Sequence, residues 1–262
     1  MLAMLTAIAA FVIGALGCAL CVLVIRRRFR LDLLQPNNEV VAHYLTLVTA
    51  LYGLFFGFVI VSLWEQQRSA EDNVVQEASS LRTVFRLADG LAEPARGQIR
   101  QATLDYAHEV TEVEWPRLVA GDGTLSYQHP AKDRIWQAII DHTPENDREY
   151  TFLGALIEHF EGLSDARRKR SYDSLRGLPA YLWLILVLGS GLSIACTLFL
   201  GTVNLRTQAL LSGVSGGLIA LMLFVVHDLQ HPFGGHWVVS PAPFELAAER
   251  IAHALHVTEA QP

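Results

Sequence analysis

No aspartate, glutamate, lysine or arginine falls within four long stretches of this chain, 2–25, 41–64, 180–203 and 207–227. The 26 acidic and 20 basic residues crowd into the segments between them. That segregation argues against a soluble domain. A bilayer core of roughly 30 Å is crossed by about 20 consecutive apolar residues in a helix. It also argues against proton-coupled transporters and ion pumps, which keep an ionisable side chain near mid-membrane. Other absences narrow the field further. There is no Gly-rich phosphate loop and no useful run of strand-period alternation. The basic residues are not pooled into a stripe, so nucleic acid is not an expected partner. Cysteine is scarce: Cys18, Cys21 and Cys196 all lie within the apolar stretches. Cys18 and Cys21 have the spacing of a redox pair, but read better as small packing residues in an apolar helix.

What remains is 52% hydrophobic, with mean hydropathy +0.30 and net charge −6. The spacing predicts an all-α membrane protein. Four transmembrane helices carry a helical extramembrane domain inserted between helices 2 and 3. The expected divisions are 1–64 (helices 1 and 2), 65–177 (inserted domain), 178–230 (helices 3 and 4) and 231–262 (tail). Span one ends abruptly at the run Arg26 to Arg30, the reverse of a cleaved signal peptide, so a retained helix is expected. Tyr44 and Trp64 flank span two, and Tyr181 and Trp183 open span three, where amphipathic rings favour the interface. The fourth span extends to 227 or 229. The link Asn204 to Thr207 admits only a tight hairpin, which makes spans three and four antiparallel neighbours.

Small residues recur four apart at Gly53 and Gly57, Gly189 and Ser193, and Gly213 and Gly217. Such pairs let helix backbones approach closely, within a subunit or between subunits.

In the insert, Val74, Ala78, Leu81, Phe85 and Ala88 mark one helix face, continuing span two without a break. A second helix is expected at about 95–113, ended by Glu114-Trp115-Pro116 because proline disfavours helical geometry before it. Gly121-Asp122-Gly123 signals a turn. Further helices are expected at about 132–141, 147–163 and 165–176. Glu112 and Glu114 read as a solvated helix end. The run Arg167 to Arg170 reads as a topogenic cluster, a lipid-headgroup contact or an anion attractor.

One constellation could carry chemistry. His227 and His231 are four apart, with Asp228 between them and His236 beyond, and two such histidines on one helix can share a metal. Pro232 follows at once, so the helix should be ending there. No enzyme, no cofactor and no metal are expected. A membrane metallohydrolase using His227 and His231 stays an alternative. His253 and His256 read as part of a solvated amphipathic tail.

Phe55-Phe56-Gly57-Phe58, followed by the long polar helix, resembles the pore-helix signature of the bestrophin chloride channels. His231-Pro232-Phe233-Gly234 is similar to their Asp-Pro-Phe-Gly turn. The order of two spans, helical insert, two spans and tail matches as well. A closer likeness is to the bacterial bestrophin-like membrane proteins, whose pattern includes the Arg run after span one and Asn38-Glu39-Val40. It also includes Trp64-Glu65, Glu114-Trp115-Pro116, the Arg-rich run before Leu178-Pro179, and Pro232-Phe233-Gly234 with Pro241 and Phe244.

The resemblance implies a homo-oligomer in the lipid bilayer, pentameric in bestrophins. It implies span two around a central pore and inorganic or small organic anions as permeant species. Bestrophin necks carry apolar residues at i, i+4 and i+8, which match Ala50, Leu54 and Phe58 here. Rings of such side chains gate by dewetting. The likeness has two departures. Val59-Ile60-Val61 stands where bestrophins have a polar stretch with Arg, and the acidic calcium clasp after Phe233-Gly234 is missing. The rival to a channel is a non-conducting scaffold or sensor whose helical domain binds a protein partner.

Orientation is contested by two signals. The Arg run after the first span places both termini and the insert outside a cell (inner) membrane. The bestrophin arrangement, supported by Arg167 to Arg170, places the insert in the cytoplasm. The whole-chain likeness favours the second.

Overall fold

The computed structural model describes residues 2–28, 38–122, 128–200 and 202–259. Phe29, Arg30 and Gly123, which figured in the expectations above, lie outside these. The described residues are helical, without a strand. In chain order the α-helices are α1 (Leu2–Arg28), α2 (Asn38–Leu87), α3 (Ala95–Glu109), α4 (Trp115–Ala120), α5 (Pro130–Ile140), α6 (Asp147–Leu175), α7 (Ala180–Phe199), α8 (Leu205–Leu229) and α9 (Ala242–Glu259). Four of them, α1, α2, α7 and α8, are long and apolar enough to cross a membrane. The chain divides into two compact units. The first comprises Met1–Glu65, Gly177–Gln230 and Gly235–Trp237. The second comprises Gln66–Arg176, His231–Gly234 and Val238–Pro262.

In the first unit α1 packs along α8 because both present small residues at the seam. A methyl group at Gly213 would come 3.2 Å from the Ala15 carbonyl, and one at Gly217 would lie 2.8 Å from the Phe11 ring. Gly14 and Gly216 approach just as closely, each against the other's backbone. Lipid supplies no hydrophobic incentive for such contacts, so close van der Waals approach must supply it. Gly189 accommodates the Tyr52 ring. The Tyr52 hydroxyl shares a 2.7 Å hydrogen bond with Ser190 and donates to the Leu186 carbonyl at 3.1 Å.

The end of α7 leaves carbonyls without intrahelical donors. The buried Gln208 amide donates to two of them, Leu198 at 3.3 Å and Leu200 at 2.6 Å. Helix α7 therefore stops at Phe199, four residues short of the expected 203. Asn204 caps α8 by accepting from the Arg206 amide at 3.0 Å.

In the second unit the apolar face of α2 is buried as expected: Val74, Ala78, Leu81, Phe85 and Ala88 are all in the core. Two expectations fail. The helix of α3 does not end at Glu114-Trp115-Pro116. A π turn at Val110–Glu114 carries it into α4, which ends at Gly121 with φ +75°. The wider turn accommodates Pro116, whose missing N–H would break an ordinary helical ladder. Likewise 147–163 and 165–176 form one helix, α6. The charges around Asp165 do not interrupt it, because Asp165 pairs with Arg168 one turn on at 2.7 Å.

Candidate pore helix and buried charge cluster

Helix α2 presents two faces within the first unit. Phe56, Val59 and Leu63 are buried against Leu186, Val226 and Leu229. Ala50, Gly53, Leu54, Gly57 and Phe58 face outward. Leu54 is 61% and Phe58 68% exposed in the single chain. Methyl groups at Gly53 and Gly57 would meet nothing within 4 Å, unlike those at Gly213 and Gly217. The two pairs predicted on the same spacing rule therefore sit differently: one pair is packed inside the chain, the other lies on its surface.

The turn motif belongs to the second unit. Phe233 is buried edge-on to Trp115, with ring centroids 5.5 Å apart at 85°. The Gly234 amide donates to the His231 carbonyl at 3.3 Å, and the Val239 amide donates to Pro232 at 2.9 Å. A methyl at Gly234 would reach 2.9 Å from the Val119 carbonyl, so glycine is needed where the turn meets α4.

The weak metal candidates are not held on one helix. Helix α8 ends at Leu229, so His231 lies beyond it. The His227 Nδ1 is 3.2 Å from the Gln230 amide nitrogen. Gln230 accepts from Trp183 Nε1 at 3.0 Å, tying α7 to the end of α8. His236 Nδ1 lies 2.7 Å from Asp228, which also accepts the His236 amide at 2.8 Å. Among the described residues no group of three or more His, Cys, Asp or Glu is placed to hold a metal ion.

The most concentrated charge chemistry lies where none was expected. Glu114, read as solvated, is fully buried, and so is Arg170, read as part of a surface run. Arg170 Nε donates to Glu77 Oε2 at 2.7 Å and Nη2 to Glu77 Oε1 at 3.0 Å. The same Nη2 reaches Glu114 Oε2 at 2.5 Å, and Arg167 Nη2 reaches Glu114 Oε1 at 2.5 Å. Tyr106 donates its hydroxyl to Glu77 at 2.6 Å. The His129 ring stacks on Tyr106 with centroids 4.2 Å apart, its Nδ1 2.9 Å from Glu109. Two guanidiniums thus face two carboxylates in a dry core, the arrangement in which buried charges are tolerated.

The π turn has a consequence here, since Glu114 is its last residue and points inward. A signal for the cluster existed in the sequence. Glu77 sits on the apolar face of α2, three residues after Val74 and four before Leu81.

The environment shifts the titrations. Burial alone would raise Glu114, but Arg170 and Arg167 outweigh it and hold the carboxyl below its usual value. Burial would lower Arg170, but Glu77 and Glu114 raise it above the usual guanidinium value. Burial, reinforced by Glu77, lifts the Tyr106 phenol well above its ordinary value. Burial is the largest influence on His129 and brings it down to about 3, against the upward pull of Glu114.

A histidine kept neutral in the folded chain gains protons only on unfolding. Its contribution is therefore full above 6.5 and is lost as pH falls from 6.5 towards 3. The slope is at most about 1.4 kcal/mol per pH unit. Glu114, depressed, loses its contribution in the same direction below 4.5. The melting temperature in detergent, followed by circular dichroism, is expected to fall between pH 7.5 and pH 5. In His129→Gln that fall is expected to flatten; an unchanged slope would remove His129 as its source.

An all-helical membrane protein of bestrophin fold is what these elements define. The fold is shared with crystal structures of variants of a bacterial bestrophin homolog from Klebsiella pneumoniae. One is 12% identical, has a TM-score of 0.70, and the match covers 96% of this chain and 97% of that one. Another is 13% identical with a TM-score of 0.68, covering 93% and 98%. No curated protein matches the sequence. The family profile of the bestrophin-like domain matches residues 3–244. The chain belongs to the bestrophin-like family.

Proposed function

We propose that the protein is an oligomeric ion channel that conducts anions, with α2 lining the pore. The observation that carries this reading is the outward stripe of Ala50, Leu54 and Phe58, free of charge and interleaved with Gly53 and Gly57. Lipid would accept such a stripe, but so would copies of the same helix around an axis, with the glycines permitting close approach. Rings of Leu54 and Phe58 would form apolar constrictions that wet and dry. The absence of Asp, Glu, Lys and Arg from 2–25, 41–64, 180–203 and 207–227 fits conduction better than proton-coupled transport. A pentamer in the inner membrane with its helical domain in the cytoplasm completes the reading, and no catalysis is assigned.

The test is ion flux from liposomes containing the purified protein, under chloride and potassium gradients. Chloride flux is expected to exceed potassium flux. Phe58→Ala is expected to raise chloride flux about tenfold, the equivalent of ~1.4 kcal/mol off a barrier. No flux from a folded oligomer in either form, across several pH values, would reject the channel. A partner-binding scaffold would then be favoured.

A further inference from the structure

Most arginines of the second unit meet a carboxylate. Arg96 pairs with Glu93, Arg100 with Asp89, Arg134 with Asp105 and Arg168 with Asp165. Three do not. The guanidiniums of Arg82, Arg86 and Arg250 form no ion pair or hydrogen bond among the described residues. All three line one groove of about 410 Å³ between α2 and α9, together with Ser79, Thr83 and Phe85. No acidic residue lines it.

In a chain of net charge −6, three unopposed cations on one concavity are not the arrangement that repulsion favours. Arg82 and Arg86 stand one turn apart on α2, where like charges destabilise a helix. An anion in the groove removes that repulsion.

The chemistry of the lining selects the anion. Guanidinium forks match the several acceptor oxygens of a phosphate group better than those of a lone halide. The Thr83 hydroxyl already donates to the Ser79 carbonyl at 3.0 Å, which leaves Ser79 Oγ as the hydroxyl donor. The volume falls within the range of small-molecule sites. The apolar floor, Phe85 and Ile251, is 6% and 1% exposed. Arg100 covers the Phe85 ring at 4.7 Å. The groove therefore gives an acyl chain no apolar slot.

We propose that Arg82, Arg86 and Arg250 form a binding site for a soluble, phosphate-bearing small molecule. The proposal rests on the groove alone and not on conduction.

Calorimetric titration of inorganic pyrophosphate into the full chain tests it, in nanodiscs and at constant ionic strength. Saturable binding at one site per chain is expected. The double variant Arg82→Gln with Arg250→Gln should weaken it at least about tenfold, as each lost charge-assisted contact is worth a large part of that factor. Arg250→Gln alone should weaken it less. Arg148→Gln, outside the groove, should leave it unchanged. Unaltered melting temperatures will establish that the variants fold. If the double variant does not fold, Arg250→Gln carries the test. No saturable binding, or equal affinity in the arginine variants, overturns the proposal. Phosphatidylcholine and phosphatidylglycerol discs separate the two sources of phosphate. Equal pyrophosphate affinity in both supports a soluble ligand. Binding abolished by phosphatidylglycerol would make the lipid headgroup the occupant and overturn the soluble ligand.

Discussion

Replacing Arg170 by alanine is expected to destabilise the protein by about 3–5 kcal/mol, the range for removing one partner from a buried ion pair. The expected fall in melting temperature is more than about 6 °C. The reason is the pair of carboxylates left behind. Glu77 and Glu114 are fully buried, and Arg170 is the side chain that touches both. Arg167 would still face Glu114, but Glu77 would keep only the Tyr106 hydroxyl. Combining Arg170→Leu with Glu77→Gln should restore much of the loss, because Glu114 keeps Arg167 and no buried carboxylate is left without a cation. Unfolding measured side by side for the single and double variants checks both statements. A single variant that melts with the wild type would mean that the cluster adds nothing net to stability.

The second large effect is expected at Gly216, in the seam between α1 and α8. A side chain there would collide with Cys18, and its Cβ would approach the Gly14 carbonyl to 2.9 Å. The obstacle is backbone as well as side chain, so rotamer changes cannot relieve it. Gly216→Leu is therefore expected to force the helices apart and lose about 3 kcal/mol or more, the upper end for overpacking. Gly17→Ala provides the contrast on α1, since a methyl there meets nothing within 4 Å. It is expected to be neutral or slightly stabilising by helix propensity. Thermal melts and the monodisperse fraction on size exclusion report both. Equal behaviour of the two variants would mean that the seam does not depend on close approach.

The parts of this fold legible in the sequence are those set by local composition. The four membrane-length helices follow from missing charge, which needs no knowledge of partners. The core face of α2 follows from spacing at 74, 78, 81, 85 and 88. The glycine rule named Gly213 and Gly217 but passed over Gly14 and Gly216, because the partner of a glycine lies on another helix. It also gave Gly53 and Gly57 the same weight as Gly213 and Gly217, although only the latter meet a neighbour within the chain.

The charge cluster was obscured for a physical reason. An arginine in a solvated run and one in a dry core are the same letter, and the difference lies in what stands opposite. Arg170 is 93 residues from Glu77 and 56 from Glu114. Pro116 misled in another way. Its local preference ends a helix, but a π turn absorbs it, and tertiary contact at Glu114 holds that turn. The arginine groove was unreadable too, since Arg250 meets Arg82 and Arg86 only after α9 folds back.

Tyr52 has a consequence beyond the hydrogen bonds it makes. Its ring fills the notch at Gly189, and its hydroxyl is held by Leu186 and Ser190. A helix turned by one residue, about 100°, would swing that ring out of its slot. Tyr52 therefore acts as a key in a keyway and sets the rotational phase of α2. The residues displayed outward, at 50, 54 and 58, are distinct from the one that fixes the angle at which they are displayed. Substitution along the stripe can change its width and wettability while its aim stays constant.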